Sequence, residues 1–295
     1  MSVWHRLFDF TDYGDLLPLV RNSIIAAAIL GIVCGLISTF VMMRDLPFAV
    51  HGISELSFAG AAAALLGGVS VVLGSIVGSL VAALIIGALG VRARERNSII
   101  GVLMPFGLGL GVLFLSLYKG RSANKFGSLI GQVVAVDTVQ LTYLIWTGAL
   151  VVVALAILWR PLTFASTDPE SAAARGVPVR LLSPIFTVVL GLTVAMSIQV
   201  VGALLVLSIV CTPAAAAMRV TASPVLVPAL SVLFATTSTV GGILLSLGAS
   251  IPVSPYITTI SFAIYVVCRV LGHLRTRRGW ARRAEVVAAP ALARP

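Results

Sequence analysis

An all-α fold, a polytopic transmembrane bundle of eight to nine helical spans, is what this sequence predicts, and three observations carry the prediction. The chain is 59% hydrophobic and 10% charged, with a mean hydropathy of +1.10, which is far outside the composition of a soluble domain. Apolar runs long enough to cross a hydrocarbon core of about 30 Å recur along its length. The arginines between those runs also alternate in density, which is how positive charge fixes membrane orientation.

Taken in order, residues 1–21 carry Asp9, Asp12 and Asp15 among Leu, Phe and Val, as a short amphipathic segment at the interface would, a frayed polar terminus being the alternative. The transmembrane domain is expected over 22–273. Its apolar runs lie near 22–43, 46–67, 71–90, 98–118, 139–159, 181–199, 201–217, 224–247 and 255–272. No cleavable leader is expected, since the first run is long enough to stay as a span. The sixth and seventh runs are interrupted only around Ser197 to Gly202, so they form two spans or one bent one. Gly202, at the break, and Pro213, in the run that follows, are the candidate structural hinges. Residues 274–295 are basic and offer little to bury, so they are expected to be disordered or loosely held on lipid.

Nine spans with an outside N-terminus place Arg44, Arg92, Arg94, Arg96, Arg160, Arg175, Arg180, Arg219 and the arginines of the tail inside. Arg6, Arg21, Lys119, Arg121 and Lys125 remain outside. Tyr118, Tyr143 and Tyr256 then fall near outer ends and Trp159 at an inner end, as interfacial anchors do. The formal charge of +10 is accounted for by topology and anionic lipid, and nucleic acid need not be invoked. Cys34, Cys211 and Cys268 lie singly in apolar runs and read as small packing residues. Small-xxx-small spacings at Gly31 with Gly35 and at Gly74 with Gly78 allow close helix approach.

The loop 160–180, RPLTFASTDPESAAARGVPVR, has the signals of a short helix at about 168–175. Asp168 can cap it, Pro169 suits its first position, Glu170 favours its N-terminal dipole and Gly176 can take the left-handed conformation that ends it. Its exposed Ala-rich surface is expected to dock on something, a plain helical connector being the alternative.

Glu55 is the acidic residue deep inside an apolar stretch, with His51 one turn before it. Counting from Arg44 and Asp45, it stands about 16 Å into the hydrocarbon, near the midplane. His51, Ser54 and Glu55 project from one helix face. Imidazole plus carboxylate suits divalent zinc, manganese or iron, so the three are candidate metal-pathway residues. A His to Glu hydrogen bond buried for packing, and a proton relay through Glu55, are the other readings. No GxxxxGK[ST], HExxH or GxSxG occurs in the chain, so no catalytic residues are assigned, an enzyme is not expected, and any ATP is handled by a partner.

The stretches MMRDLPFAVHGISELSFAGAAAALLGG, TDPESAAARGVPV and VVGALLVLSIVCTPAAAAMRVT resemble, in that order and at similar spacing, the membrane permeases of zinc and manganese type ABC importers. With the spans between them the likeness covers about 22–272. It implies a homodimeric permease of the cell membrane, clamped by two cytoplasmic ATPase subunits, with a cytoplasmic C-terminus and fed by an extracytoplasmic metal-binding protein. Nothing is then bound permanently; zinc or manganese passes through, and ATP sits on the partner. The loop bearing Asp168, Pro169, Glu170, Ala173 and Gly176 would be the helix that couples to the ATPase. Family members often read D-x-x-x-H where this chain has His51 and Glu55, the acid and imidazole exchanged. Phe164 lies upstream of the place where an aromatic usually precedes DPE, and Thr167 fills that place. A proton-coupled secondary carrier using Glu55, and a permease for a metal chelate, are the alternatives; the DPE loop counts against the first and the His51 and Glu55 pair against the second.

Overall fold

The structure, a computed structural model, describes residues 17–89, 93–119, 136–203, 205–247 and 252–288. Ten helices follow one another in these residues: α1 (Arg21–Met43), α2 (Pro47–Leu66), α3 (Val71–Leu89), α4 (Ala93–Leu117), α5 (Thr138–Thr167), α6 (Pro169–Ala174), α7 (Val179–Val201), α8 (Val206–Val220), α9 (Leu226–Ser246) and α10 (Val253–Ala288). Among the described residues, eight helices are long and apolar enough to cross a membrane. α8, with 15 residues, is only about 22 Å long and falls short of a full span. The acidic segment expected before α1 lies almost wholly outside the described residues.

α1, α2 and α7 form the buried centre, and α3, α4, α5 and α10 expose most of their length. The centre is joined by small residues. A Cβ on Gly31 would meet the Cα of Thr236 at 2.6 Å, and one on Gly74 would collide with the carbonyl oxygen of Gly60. The two small-xxx-small pairs of the sequence are thus where α1 meets α9 and where α3 meets α2. α1 turns into α2 through Arg44, Asp45 and Leu46; Asp45 has φ +54°, which Asp tolerates better than most side chains, and the Leu46 N–H closes onto the Val41 carbonyl at 2.9 Å.

The break expected between the sixth and seventh runs is real. Gly202 leaves α7 with φ 86° and ψ 159°, a conformation open to glycine and costly to other residues. Irregular backbone at membrane depth needs protein partners for its carbonyls. Ser54 donates to the Ala203 carbonyl at 2.8 Å and Ser254 to that of Val201 at 3.4 Å. Pro213 lies inside the continuous α8, and Ser38 on α1 braces the helix beside it: its hydroxyl accepts from the Ala214 N–H at 3.1 Å and donates to the Cys211 carbonyl at 3.5 Å.

Two elements run longer than the sequence implies. α5 continues through Pro161 to Thr167 rather than ending near 159. Trp159 is accordingly no simple interfacial anchor, since its ring stands edge-on to Phe40 with centroids 4.8 Å apart. α10 continues to Ala288, so the stretch from 274, expected to be disordered or loosely held on lipid, is helical to that point; its Arg and Ala are good helix formers.

Candidate metal pathway

Glu55 owes its position to α2. Pro47 occupies the first turn of that helix, and eight residues further on, about 12 Å along the axis, the carboxylate is reached. Gly107 of α4 packs directly onto the backbone of Glu55 and Leu56, so the helix is covered at this level. The Glu55 side chain is 6% exposed and that of His51 is 32% exposed. The pair therefore runs from the interior of the chain to its surface. His51 Nε2 and Glu55 Oε1 are 3.8 Å apart, beyond hydrogen-bond distance. Two ligands of one ion, with bonds of about 2.1–2.2 Å at 90–120°, stand roughly 3.0–3.8 Å apart. The observed spacing is at the wide end of that range, so one cation fits between the two groups with little movement. Among the described residues, no third His, Cys, Asp or Glu joins them.

Ser54 is placed otherwise than its company in the sequence implies. It is 1% exposed, and its proton is committed to the Ala203 carbonyl. It belongs to the join between α2 and the α7–α8 break. Nothing local in the sequence signals this, because the partners are 149 residues apart.

The second cluster lies at the other end of α7. Asp168 both ends α5, its N–H donating to the Phe164 carbonyl at 3.0 Å, and starts α6, its carboxylate accepting from the Ser171 N–H at 3.0 Å. Its hydrogen bonds to the Ser171 side chain and backbone hold its carboxyl below the usual aspartate range. Pro169 and Glu170 fill the first turn. Gly176, φ 83°, takes the left-handed conformation that closes the helix, its N–H donating to the Ala173 carbonyl. Ala172 is fully buried while Ser171, Ala173 and Ala174 are exposed, so the helix is seated on one side and bare on the other. The Arg175 guanidinium stacks on the Phe164 ring at 5.8 Å, and an open depression lined by Trp159, Phe164 and Asp168 runs beside it. Phe164 thus anchors α6 from within α5. Arg44, which the sequence marks only as an inside charge, reaches Ser166 at 3.5 Å and lies over the Phe186 ring at 5.6 Å, linking the α1–α2 turn to the last turn of α5 and to α7.

The ABC 3 transport family matches residues 17–272. The manganese transport system membrane protein MntC of Halalkalibacterium halodurans is 28% identical over 228 residues, covering 77% of this chain and 78% of that one. The protein of the same description from Listeria innocua is 30% identical over 211 residues, 71% and 74% of the two chains. Among solved structures, PsaBC from Streptococcus pneumoniae in complex with Fab superposes with a TM-score of 0.78 at 26% identity, over 88% of this chain and 95% of that chain.

Proposed function

We propose, from the premise that this chain belongs to the ABC 3 transport family, that it is the membrane permease of an ATP-driven importer for a divalent metal ion, with manganese favoured over zinc. Relatives named for manganese transport and import support the metal. ATP is bound and split by separate cytoplasmic subunits that engage α6, and an extracytoplasmic binding protein delivers the ion at the opposite face. The arginine distribution supports this orientation, with the C-terminus in the cytoplasm. A second copy of the chain meets the exposed side of His51, so that the path runs between the two copies.

The observation that carries the site is the pair on α2: a carboxylate nearly sealed inside the membrane bundle, with an imidazole 3.8 Å away that opens to the surface. Two ligands per copy hold a cation long enough to shed its water and weakly enough to release it, as conduction requires. Imidazole and carboxylate also share an ion that a purely oxygen site would lose to calcium or magnesium.

Manganese uptake by cells expressing the chain with its ATPase tests the reading. Glu55→Gln keeps the shape and removes the charge; His51→Ala removes the nitrogen. Each is expected to lower uptake by at least about tenfold, since even the outer partners of metal ligands cost roughly that much, while co-purification of the ATPase is unchanged. Normal manganese and zinc uptake by Glu55→Gln would end the assignment and leave the pair as packing.

A further inference from the structure

The permease has its proposed ATPase contact, α6, at one end of α7 and a buried hydroxyl, that of Ser54, at the other. α6 is joined to α7 by residues 175–178 alone, and this link is tight: the Val177 N–H donates to Ala172, the Gly176 N–H to Ala173, and the Leu181 and Leu182 N–H groups both to Pro178. From there α7 runs 23 residues, about 34 Å, through a core of Phe186, Leu190, Val194 and Ile198. It stops at Gly202, where the chain leaves the helix. The next carbonyl, that of Ala203, turns onto Ser54 at 2.8 Å. Both residues are 1% exposed, so the bond has no water to compete with. Ser54 lies on the same α2 face as His51 and Glu55, one residue before the carboxylate.

We infer that Ser54 is a positioning residue of the transport cycle: its hydrogen bond to the Ala203 carbonyl ties the far end of α7 to the turn of α2 that carries His51 and Glu55, so that a displacement of α7 begun at α6 reaches the metal pair. The inference rests on the reading of that pair as the ion's ligands. The hinge at Gly202 is what makes such a tie useful. A continuous helix would carry its carbonyls inward along its own axis, whereas the break frees one of them for a neighbouring helix. Ser254, donating to Val201 from α10, holds the same break from its other side, so the tie works against a fixed support. Sealed at 1% exposure with its proton committed, Ser54 is not itself a ligand of the passing ion.

The test uses the permease with its ATPase in proteoliposomes, measuring manganese uptake over a range of manganese concentrations together with ATP hydrolysed per ion. Ser54→Ala is expected to lower the maximal rate roughly two- to tenfold, the worth of one hydrogen bond, to leave KM for manganese unchanged and to raise the ATP spent per ion. Ser54→Thr, which restores the hydroxyl, recovers coupling. If Ser54→Ala instead raises KM as Glu55→Gln does, with ATP per ion unchanged, Ser54 is a ligand and the tie is refuted. Wild-type rate and coupling in Ser54→Ala refute it as well. Should Ser54→Ala not assemble with the ATPase, Ser54→Cys, a weak donor of similar size, is read by the same criteria. Uncoupling by Ser54→Ala alongside normal uptake by Glu55→Gln supports the tie and removes the ligand assignment instead.

Discussion

Asp168 shows how much one exposed side chain decides. Its backbone ends α5 and its carboxylate begins α6, so the two helices share a single residue and the angle between them is set there. Hydrogen bonds from Ser171 favour the ionised form and hold its carboxyl below the ordinary value of 3.8. The sign follows from linkage: a depressed carboxyl contributes stability that is complete above its unfolded value and is lost as the pH falls through the lower, folded one. The cap is therefore flat between pH 5 and 8 and weakens only in strong acid. Asp168→Ala is expected to speed amide exchange at Ser171 and Ala172 at neutral pH, whereas Asp168→Asn, a comparable cap, keeps most of the protection and loses the acid sensitivity. Equal exchange in all three proteins would show that Pro169 and the buried Ala172 hold α6 without a cap.

At the scale of helices, the fit of α2 against α3 depends on the absence of side chains. Gly60, Gly74 and Gly78 let the backbones touch, and a Cβ at Gly74 would strike both the Gly60 carbonyl and the Ala64 side chain. Gly74→Val is expected to cost about 1–3 kcal/mol by overpacking, read as a lower unfolding temperature in detergent, and to displace the helix that carries Glu55. Gly101→Ala and Gly109→Ala, with nothing within 4 Å, are expected to leave stability unchanged or raise it by up to about 1 kcal/mol through helix propensity; similar losses at all three sites would remove the packing argument. The same contrast explains what was legible in the sequence. The Asp168 and Pro169 start, the Gly176 stop and the Gly202 break are local signals, and each marks a helix end in the structure. The ties of Ser38 to Cys211 and of Ser54 to Ala203 join residues 173 and 149 apart. A serine in an apolar run looks the same whether it bonds its own helix, as Ser231 does, or a distant one, so the sequence groups Ser54 with the neighbours whose face it shares. α5 outran its expected end because Pro161 is accommodated within the helix rather than stopping it.

For the molecule as a whole, the question is where force enters. Among the described residues, large apolar side chains such as Trp146, Ile157, Val102 and Phe262 are well exposed on α5, α4 and α10, as on helices that face lipid. α6 is different. It is six residues long, too short to be stable alone, yet it is capped at both ends, seated by Ala172 and braced by the Arg175 and Phe164 stack. Its small exposed side chains at Ala173 and Ala174 leave a smooth ridge that a groove on another protein could enclose without displacing bulk. A ridge so rigidly mounted on α5 and α7 passes a push on to both helices rather than absorbing it. A cysteine at Ala173 is therefore expected to form a disulfide with cysteines placed along one groove of the partner ATPase. If force enters through this ridge, the yield changes when the complex is trapped with a non-hydrolysable nucleotide. If Ala173→Cys transports manganese normally yet no position along any groove of the ATPase captures it, while cysteines at loop positions near Arg219 do, force enters elsewhere and α6 is only a connector.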